Sequence, residues 1–155
     1  MMFHGSLPAR NPERVAGVIA ELWRGTSFPF PPFPDSFIAL ANDDRGTEIE
    51  VCPYTQENVI GDVEVATRTN AAANGNSACH FAIATPLSEA EVLAIAAREG
   101  WRARRCDRGG CFHVIEFWIE NAFLLEVLTA EMQAEYLAFM KPAVYAKTFG
   151  FAVGG

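Results

Sequence analysis

The chain has 155 residues, of which half are hydrophobic and a fifth are charged, and its net charge is −7 at pH 7. This length and composition predict one globular domain with a substantial core. The negative charge argues against a nucleic acid as the main partner, and no apolar run approaches the roughly 18 residues of a membrane span. The N-terminal segment lacks the basic and apolar regions of a secretory signal, so we expect a cytoplasmic protein that does not bind a membrane.

The first predicted unit, residues 2–53, begins with a short extended segment around His4. A helix follows: Asn11 and Pro12 are typical of an N-cap and a first helical residue, apolar residues then recur at helical spacing, and Gly25 can end the helix. The segment GTSFPFPPFPD is expected to be an edge strand or an irregular loop, because proline cannot donate to a sheet. SFIALA and TEIEVC, joined by the turn NDDRG, predict a hairpin.

Residues 54–77 are predicted to be a linker, which is long for a compact domain. Its last part, TNAAANGNS, is small and polar. We expect this segment either to cover a site or to be a plain connection.

The second predicted unit, residues 78–128, repeats the order of the first. Ser88 and Glu91 indicate a capping box at the start of a helix that Gly100 ends. Three strands follow, WRARRC, CFHVIEFWI and AFLLEVL, joined by the turns DRGG and EN. A C-terminal helix over about 129–141 completes the chain, with Thr129 as its N-cap, Pro142 as its stop and a short tail after it.

An internal repeat is visible in the spacing of the polar residues. His4 and His80 are separated by 76 residues, and so are Glu50 and Glu126. Each histidine therefore precedes its glutamate by 46 residues. Such self-similarity at a fixed offset predicts two copies of one structural unit, here βαβββ.

The four repeated residues suggest a metal site. Glu126 lies in the apolar stretch AFLLEVL, where an ionised carboxylate needs a counter-charge. Two imidazoles and two carboxylates suit a borderline divalent metal such as Zn, Ni, Fe, Co or Mn. Taken alone, a histidine near a chain start is usually a surface residue and a glutamate in a strand usually faces solvent. The shared offset favours His4, Glu50, His80 and Glu126 as metal ligands.

Three other groups of polar residues have simpler interpretations. The four arginines within residues 102–108 form either a solvated hairpin or a binding site for an anionic group of a substrate. The four cysteines match no zinc or redox spacing, and no disulfide is expected, although Cys106 and Cys111 flank one turn. His113 has no counterpart in the repeat, so we interpret it as structural.

FHGSL and CHFAI resemble the first strands, and TEIEV and FLLEV the last strands, of modules in the vicinal oxygen chelate superfamily. This family contains glyoxalase I, methylmalonyl-CoA epimerase, fosfomycin-resistance proteins and extradiol dioxygenases. The resemblance covers residues 2–128 and implies an α+β fold of tandem βαβββ modules forming a cupped mixed sheet, here with an extra C-terminal helix. It also places His4, Glu50, His80 and Glu126 at the positions that bind a divalent metal.

The ligand pattern is most similar to that of glyoxalase I and its relatives. It implies a lyase, isomerase or epimerase that abstracts a proton next to a metal-chelated carbonyl of a small molecule, with Glu126 as general base. Glu50 is then the second carboxylate ligand and partner acid or base, and Glu48, two residues away on the same face of the strand, competes for that role. IENAF replaces the D-P-x-G turn of many members, which leaves the substrate open.

Two alternatives remain within the same family. A non-heme iron or manganese dioxygenase needs only three of the four ligands, and a non-catalytic drug-binding module uses the sheet as an apolar pocket. A homodimer is expected, and the family includes both sites formed within one chain and sites formed across a dimer.

Overall fold

Two βαβββ modules form most of the chain in a computed structural model that describes residues 4–62, 65–73 and 78–151. The first module contains β1 (His4–Ala9), α1 (Pro12–Trp23), β2 (Thr26–Pro29), β3 (Phe37–Leu40) and β4 (Glu48–Pro53). A hairpin of β5 (Gln56–Ile60) and β6 (Val65–Thr69) follows. The second module contains β7 (Phe81–Ala84), α2 (Glu89–Glu99), β8 (Arg102–Asp107), β9 (His113–Ile119) and β10 (Phe123–Leu128). The helices α3 (Ala130–Phe139) and α4 (Pro142–Phe149) end the described part.

The two modules have the same strand topology. The strand order is β1-β4-β3-β2 in the first sheet and β7-β10-β9-β8 in the second. In each sheet the first strand of the module pairs in parallel with the last, and the other pairs are antiparallel. The predicted fold class, α+β with tandem βαβββ modules and C-terminal helical structure, is confirmed.

Local signals in the sequence explain the boundaries of α1. The side chain of Asn11 accepts a hydrogen bond from the backbone N–H of Arg14, and Pro12 opens the helix. The C-cap of the helix is Arg24, which adopts the left-handed conformation with φ 53°, so the prediction that Gly25 provides this cap is wrong. Gly25 is required for a different reason, because a Cβ there would overlap the carbonyl oxygen of Leu40.

The second module begins and ends its helix as predicted. Ser88 and Glu91 form the reciprocal capping box, and Gly100 caps the C-terminus in the left-handed conformation. Residues 120–122 form the turn between β9 and β10, and its first two residues, Glu120 and Asn121, both have positive φ. Positive φ at both central residues gives the strand twist that a tight antiparallel hairpin requires.

The proline-rich segment contains an edge strand. β2 (Thr26–Pro29) pairs with β3 alone and lies at the end of the first sheet. The remaining prolines follow in turns, where their missing N–H groups leave no gap in the sheet. This matches the edge-strand alternative.

Two elements were not predicted. The segment 54–77 contains the β5–β6 hairpin, which an ion pair between Glu57 and Arg68 spans at 2.9 Å. Pro142 follows the end of α3 as expected, but it also begins α4, because a proline at the first helical position gives up no hydrogen bond. The prediction that only a tail follows Pro142 is therefore wrong. The end of the linker, residues 74–77, lies outside the described residues.

The helices of both modules cover a shared hydrophobic core. Strand residues of both modules are buried in it together with residues of α1 and α2. The strand residues include Leu7 of β1, Val51 of β4, Phe117 of β9 and Leu125 of β10. Ion pairs from Arg14 to Glu99 and from Arg98 to Glu21 join α1 to α2 at the surface. The modules therefore have a fixed relative position within one chain.

Two negative expectations from the sequence concern the cysteines and the membrane. Cys106 and Cys111, which flank the turn between β8 and β9, are not joined by a disulfide. In the described ranges, no helix has the length and apolar character needed to cross a membrane.

Candidate functional site

Each sheet has one face covered by helices and an opposite face, which we call the site face. Strand residues alternate between the two faces, so Leu7 and Val51 are buried under α1 while Ser6 and Glu50 lie on the site face. In the second sheet Leu125 and Val127 are in the core, and Glu126 lies on the site face.

In the first module, His4 and Glu48 form a pair at the start of β1 and β4. They are register partners, and His4 Nδ1 lies 3.7 Å from Glu48 Oε1. The histidine side chain is 57% exposed and the glutamate side chain 24% exposed, so the imidazole is accessible to a ligand.

His4 and Glu48 also border an open cavity of about 430 Å³ where the two modules meet, which we call the junction cavity. Its walls come from β1, β4, the β3–β4 loop, the end of α1 and β7. They are formed by His4, Gly5, Trp23, Ala41, Asp43, Arg45, Thr47, Glu48, Ile49, Phe81, Ala82, Ile83 and Ala84. The cavity thus combines an apolar wall from β7 with polar groups from the first module, a composition suited to a small organic ligand.

Glu50 lies one pair further along the same two strands. Its register partner is Ser6, whose hydroxyl donates a 2.8 Å hydrogen bond to Glu50 Oε2. In the described part of the chain, no ion pair involves this half-buried carboxylate. Glu50 therefore retains oxygen lone pairs that a cation could use.

In the second module, Glu126 is bound by an arginine. Arg108, in the turn after β8, places Nη2 2.5 Å from Glu126 Oε1. The side chain of Glu126 is only 12% exposed, so this ion pair supplies the counter-charge that the apolar strand requires. The sequence indicated that a cation must lie beside Glu126, and within one chain that cation is a guanidinium.

A second carboxylate, Glu116, lies directly opposite Glu126 on β9. It accepts hydrogen bonds from Arg104 on β8 and, at 3.1 Å, from both terminal nitrogens of Arg108. Burial raises the pKa of Glu116, but the hydrogen bonds from the two arginines outweigh burial and hold the pKa below its ordinary value. The hydrogen bond to Glu126 in turn raises the pKa of Arg108.

His80 lies immediately before β7 and is exposed. Its Nδ1 is 3.3 Å from the carbonyl oxygen of Ala78. It comes two residues before Ala82, the register partner of Glu126, so the imidazole lies just before the strand that pairs in parallel with the strand of Glu126. The first module has the same arrangement of His4 and Glu50.

The four predicted ligands are divided between the two sheets. Within residues 4–62, 65–73 and 78–151, no three histidine, cysteine, aspartate or glutamate side chains converge as a metal site. The donor types fit a divalent metal, since imidazole and carboxylate both bind such ions. Their arrangement in one chain is incomplete, however, and Arg108 already binds Glu126. The four-ligand site stays a prediction.

Sequence reasoning missed the network of Arg104, Arg108 and Glu116. The register of the predicted β8–β9 hairpin was the available signal, because pairing across the DRGG turn puts Arg104 opposite Glu116. Arg105 points elsewhere and pairs with Glu89 at 3.0 Å. The structural interpretation of His113 agrees with its contact to Glu135, 2.9 Å from Nδ1 to Oε2.

Comparison with protein-family models and with curated protein sequences gives no match. Solved structures are similar. The fosfomycin resistance protein FosX from Listeria monocytogenes, complexed with Mn(II) and sulfate, matches 90% of this chain and 96% of its own with 10% identity and a TM-score of 0.55. Glyoxalase I from Leishmania major matches 98% and 99% with 15% identity and a TM-score of 0.51. FosX from Mesorhizobium loti matches 86% and 94% with 12% identity and a TM-score of 0.50.

These similarities extend over nearly the whole of each chain and include both modules. At such low sequence identity they bear on the fold rather than the reaction. They confirm the resemblance that the four strand segments indicated: the chain has the fold of the vicinal oxygen chelate superfamily.

Proposed function

We propose that this protein is a glyoxalase-like, metal-dependent enzyme that acts on a small molecule by removing a proton next to a carbonyl group. One observation carries the proposal. Each module has a glutamate on its last strand and a histidine near the adjacent first strand: His4 begins β1, and His80 immediately precedes β7. The two pairs are repeat-related. The recurrence of the same two residue types in both modules favours a ligand that both pairs bind over two unrelated surface residues. FosX, which has this fold, is found with Mn(II).

The complete site needs two modules that face each other. We call the imidazole and carboxylate pair of one module a half-site: His4 with Glu50, and His80 with Glu126. Because the two half-sites do not converge within the described residues of one chain, we propose that they meet across a homodimer. A twofold axis would join the first half-site of each copy to the second half-site of the other, giving two equal sites.

Each group then has a defined part. His4, His80, Glu50 and Glu126 would hold the ion, and Glu48 can replace Glu50 because it already contacts His4. A bound divalent ion would act as a Lewis acid toward carbonyl oxygens of the ligand. Glu126, on the site face of β10, would receive the proton as the general base, the role that the resemblance implies. The apolar wall of the junction cavity would exclude water from the ligand.

Metal titration of the purified protein tests this proposal. Zn²⁺, Ni²⁺, Co²⁺, Mn²⁺ and Fe²⁺ are titrated into chelator-treated protein and into a His80→Ala, Glu126→Gln double variant. The matched control is a His113→Ala, Glu135→Gln double variant, which removes the same residue types from a neighbouring pair. We expect one ion per chain in wild type and control and none in the site variant. Equal binding by all three proteins, or binding by none, would overturn the proposal.

A non-catalytic binding protein is the second candidate, and the Arg108–Glu126 ion pair favours it. That pair neutralises the buried carboxylate without any metal. The junction cavity would then bind an apolar small molecule directly. Absence of metal binding together with uptake of an apolar fluorescent dye, blocked by an Ala82→Trp substitution in the cavity wall, would support this candidate.

A further inference from the structure

We infer that Arg108 occupies the cation position beside Glu126, so that a divalent metal binds Glu126 only when the guanidinium leaves. The inference rests on the proposed function, because it concerns the same half-site. It adds Arg108, which is not one of the four predicted ligands, as a specificity-determining residue. Arg108 thus competes with the metal for Glu126.

The contacts show that Arg108 is the group that compensates Glu126. Nη2 of Arg108 lies 2.5 Å from Glu126 Oε1, and in the described residues no other ion pair reaches this carboxylate. Glu116, by contrast, has a second partner, since Nε and Nη2 of Arg104 lie 3.0 and 2.9 Å from its Oε2. Departure of Arg108 would therefore leave Glu116 paired and only Glu126 without a counter-charge.

A divalent metal can supply that missing counter-charge. The guanidinium of Arg108 and a divalent metal compete for one carboxylate, that of Glu126, in a mostly apolar strand. Burial of an unpaired carboxylate is unfavourable. Glu126 will therefore be bound either by the guanidinium or by the ion. Because guanidinium and metal are both cations, simultaneous close binding to the same buried carboxylate is disfavoured by their repulsion.

The position of Arg108 allows its side chain to leave while the backbone stays in place. It lies at the start of the turn, where its N–H donates to the carbonyl oxygen of Phe112 at 2.8 Å. The N–H of Gly110 donates to Asp107 Oδ1 at 2.7 Å, which also fixes the turn. The side chain of Arg108 is 31% exposed, so rotation about its own bonds brings the guanidinium into solvent.

Affinity measurements with two arginine variants test the inference. Mn²⁺ is titrated calorimetrically into full-length wild type, Arg108→Gln and Arg105→Gln. Arg105 is the matched control because it belongs to the same hairpin but pairs with Glu89. We expect Arg108→Gln to bind Mn²⁺ at least tenfold more tightly than wild type and Arg105→Gln to bind like wild type. Equal or weaker binding by Arg108→Gln overturns the inference and leaves the proposed function intact.

A measurement on wild type covers the case in which Arg108→Gln does not fold. The guanidinium signals in a ¹⁵N-edited NMR spectrum are followed while diamagnetic Zn²⁺ is added. We expect the Arg108 signal to move with metal occupancy while the Arg105 signal stays. Metal binding with an unchanged Arg108 signal overturns the inference. If neither wild type nor Arg108→Gln binds any ion, the proposed function itself fails.

Discussion

Glu116 and Glu126 lie directly opposite each other on β9 and β10, and one guanidinium, that of Arg108, donates to both carboxylates. Two like charges at such a position in an antiparallel pair are destabilising. Arg104 and Arg108 reverse that effect and bind the carboxylates into one network. Within a single chain this network balances the buried charge of the second module.

The network gives the protein a defined acid sensitivity. Because the folded-state pKa of Glu116 is lowered, its contribution to stability is present above the ordinary glutamate pKa of about 4.3 and is lost as the pH falls through the folded-state value. We expect Glu116→Gln to lower the free energy of unfolding by about 1–3 kcal/mol at pH 7. The difference from wild type should shrink below about pH 4.5.

Urea unfolding between pH 7 and pH 3 measures this difference. The exposed substitution Asp44→Asn is the control, and its difference from wild type should stay small at every pH. A Glu116→Gln difference that is independent of pH would show that the arginine contacts do not stabilise the charged form.

The contact between Gly5 and Phe81 links the two modules beside the candidate ligands. A Cβ at Gly5 would lie 2.9 Å from Cζ of Phe81, so the aromatic ring would have to shift. We expect Gly5→Ala to lower the free energy of unfolding by about 1–3 kcal/mol, the usual range for overpacking. Phe81→Leu should relieve most of this loss.

A double-mutant cycle from urea unfolding checks the coupling between the two positions. Gly17→Ala is the matched control: Gly17 lies inside α1, where an added Cβ meets nothing closer than 4.0 Å. That variant should be more stable than wild type by about 0.5–1 kcal/mol. Strict additivity of Gly5→Ala and Phe81→Leu would contradict a direct contact.

The shared-site proposal predicts complementation between defective chains. His4→Ala and Glu126→Gln each damage one half-site, so each homodimer should lose tight metal binding. In a heterodimer of the two variants, one site receives both defects and the other receives none. We therefore expect half of the wild-type metal content to return.

Co-expression with two different affinity tags isolates this heterodimer for metal analysis. No recovery in a stable heterodimer would indicate that each site forms within one chain. A chain that is monomeric at all concentrations would contradict the dimer.

The fold was largely predictable because its signals are local. Asn11, Ser88 and Thr129 cap their helices through their own side chains, and the repeat of His4 and His80 marks the start of each module. The β5–β6 hairpin was not predictable in this way, since every residue of β6 is exposed and no apolar alternation marks the strand. α4 was missed because a proline signals both the end of one helix and the start of another.

The site was predictable only in part. The repeat identified Glu50 and Glu126 as unusual carboxylates and located them on matching strands. It could not identify Arg108 as the partner of Glu126, because that contact depends on how far a side chain reaches back from a turn. Glu116 was not predicted because the repeat does not include it. The residue opposite the last-strand glutamate is Glu116 in the second module but Ile38 in the first.

A crystal structure of the protein grown with Mn²⁺, with the ion located by its anomalous scattering, distinguishes metal at Glu126 from arginine at Glu126. We predict an ion bound by His80 and Glu126 of one copy and by His4 and Glu50 of a second copy, with the guanidinium of Arg108 turned away from Glu126. An ion elsewhere, or no ion and Arg108 still bound to Glu126 at saturating Mn²⁺, would contradict this prediction.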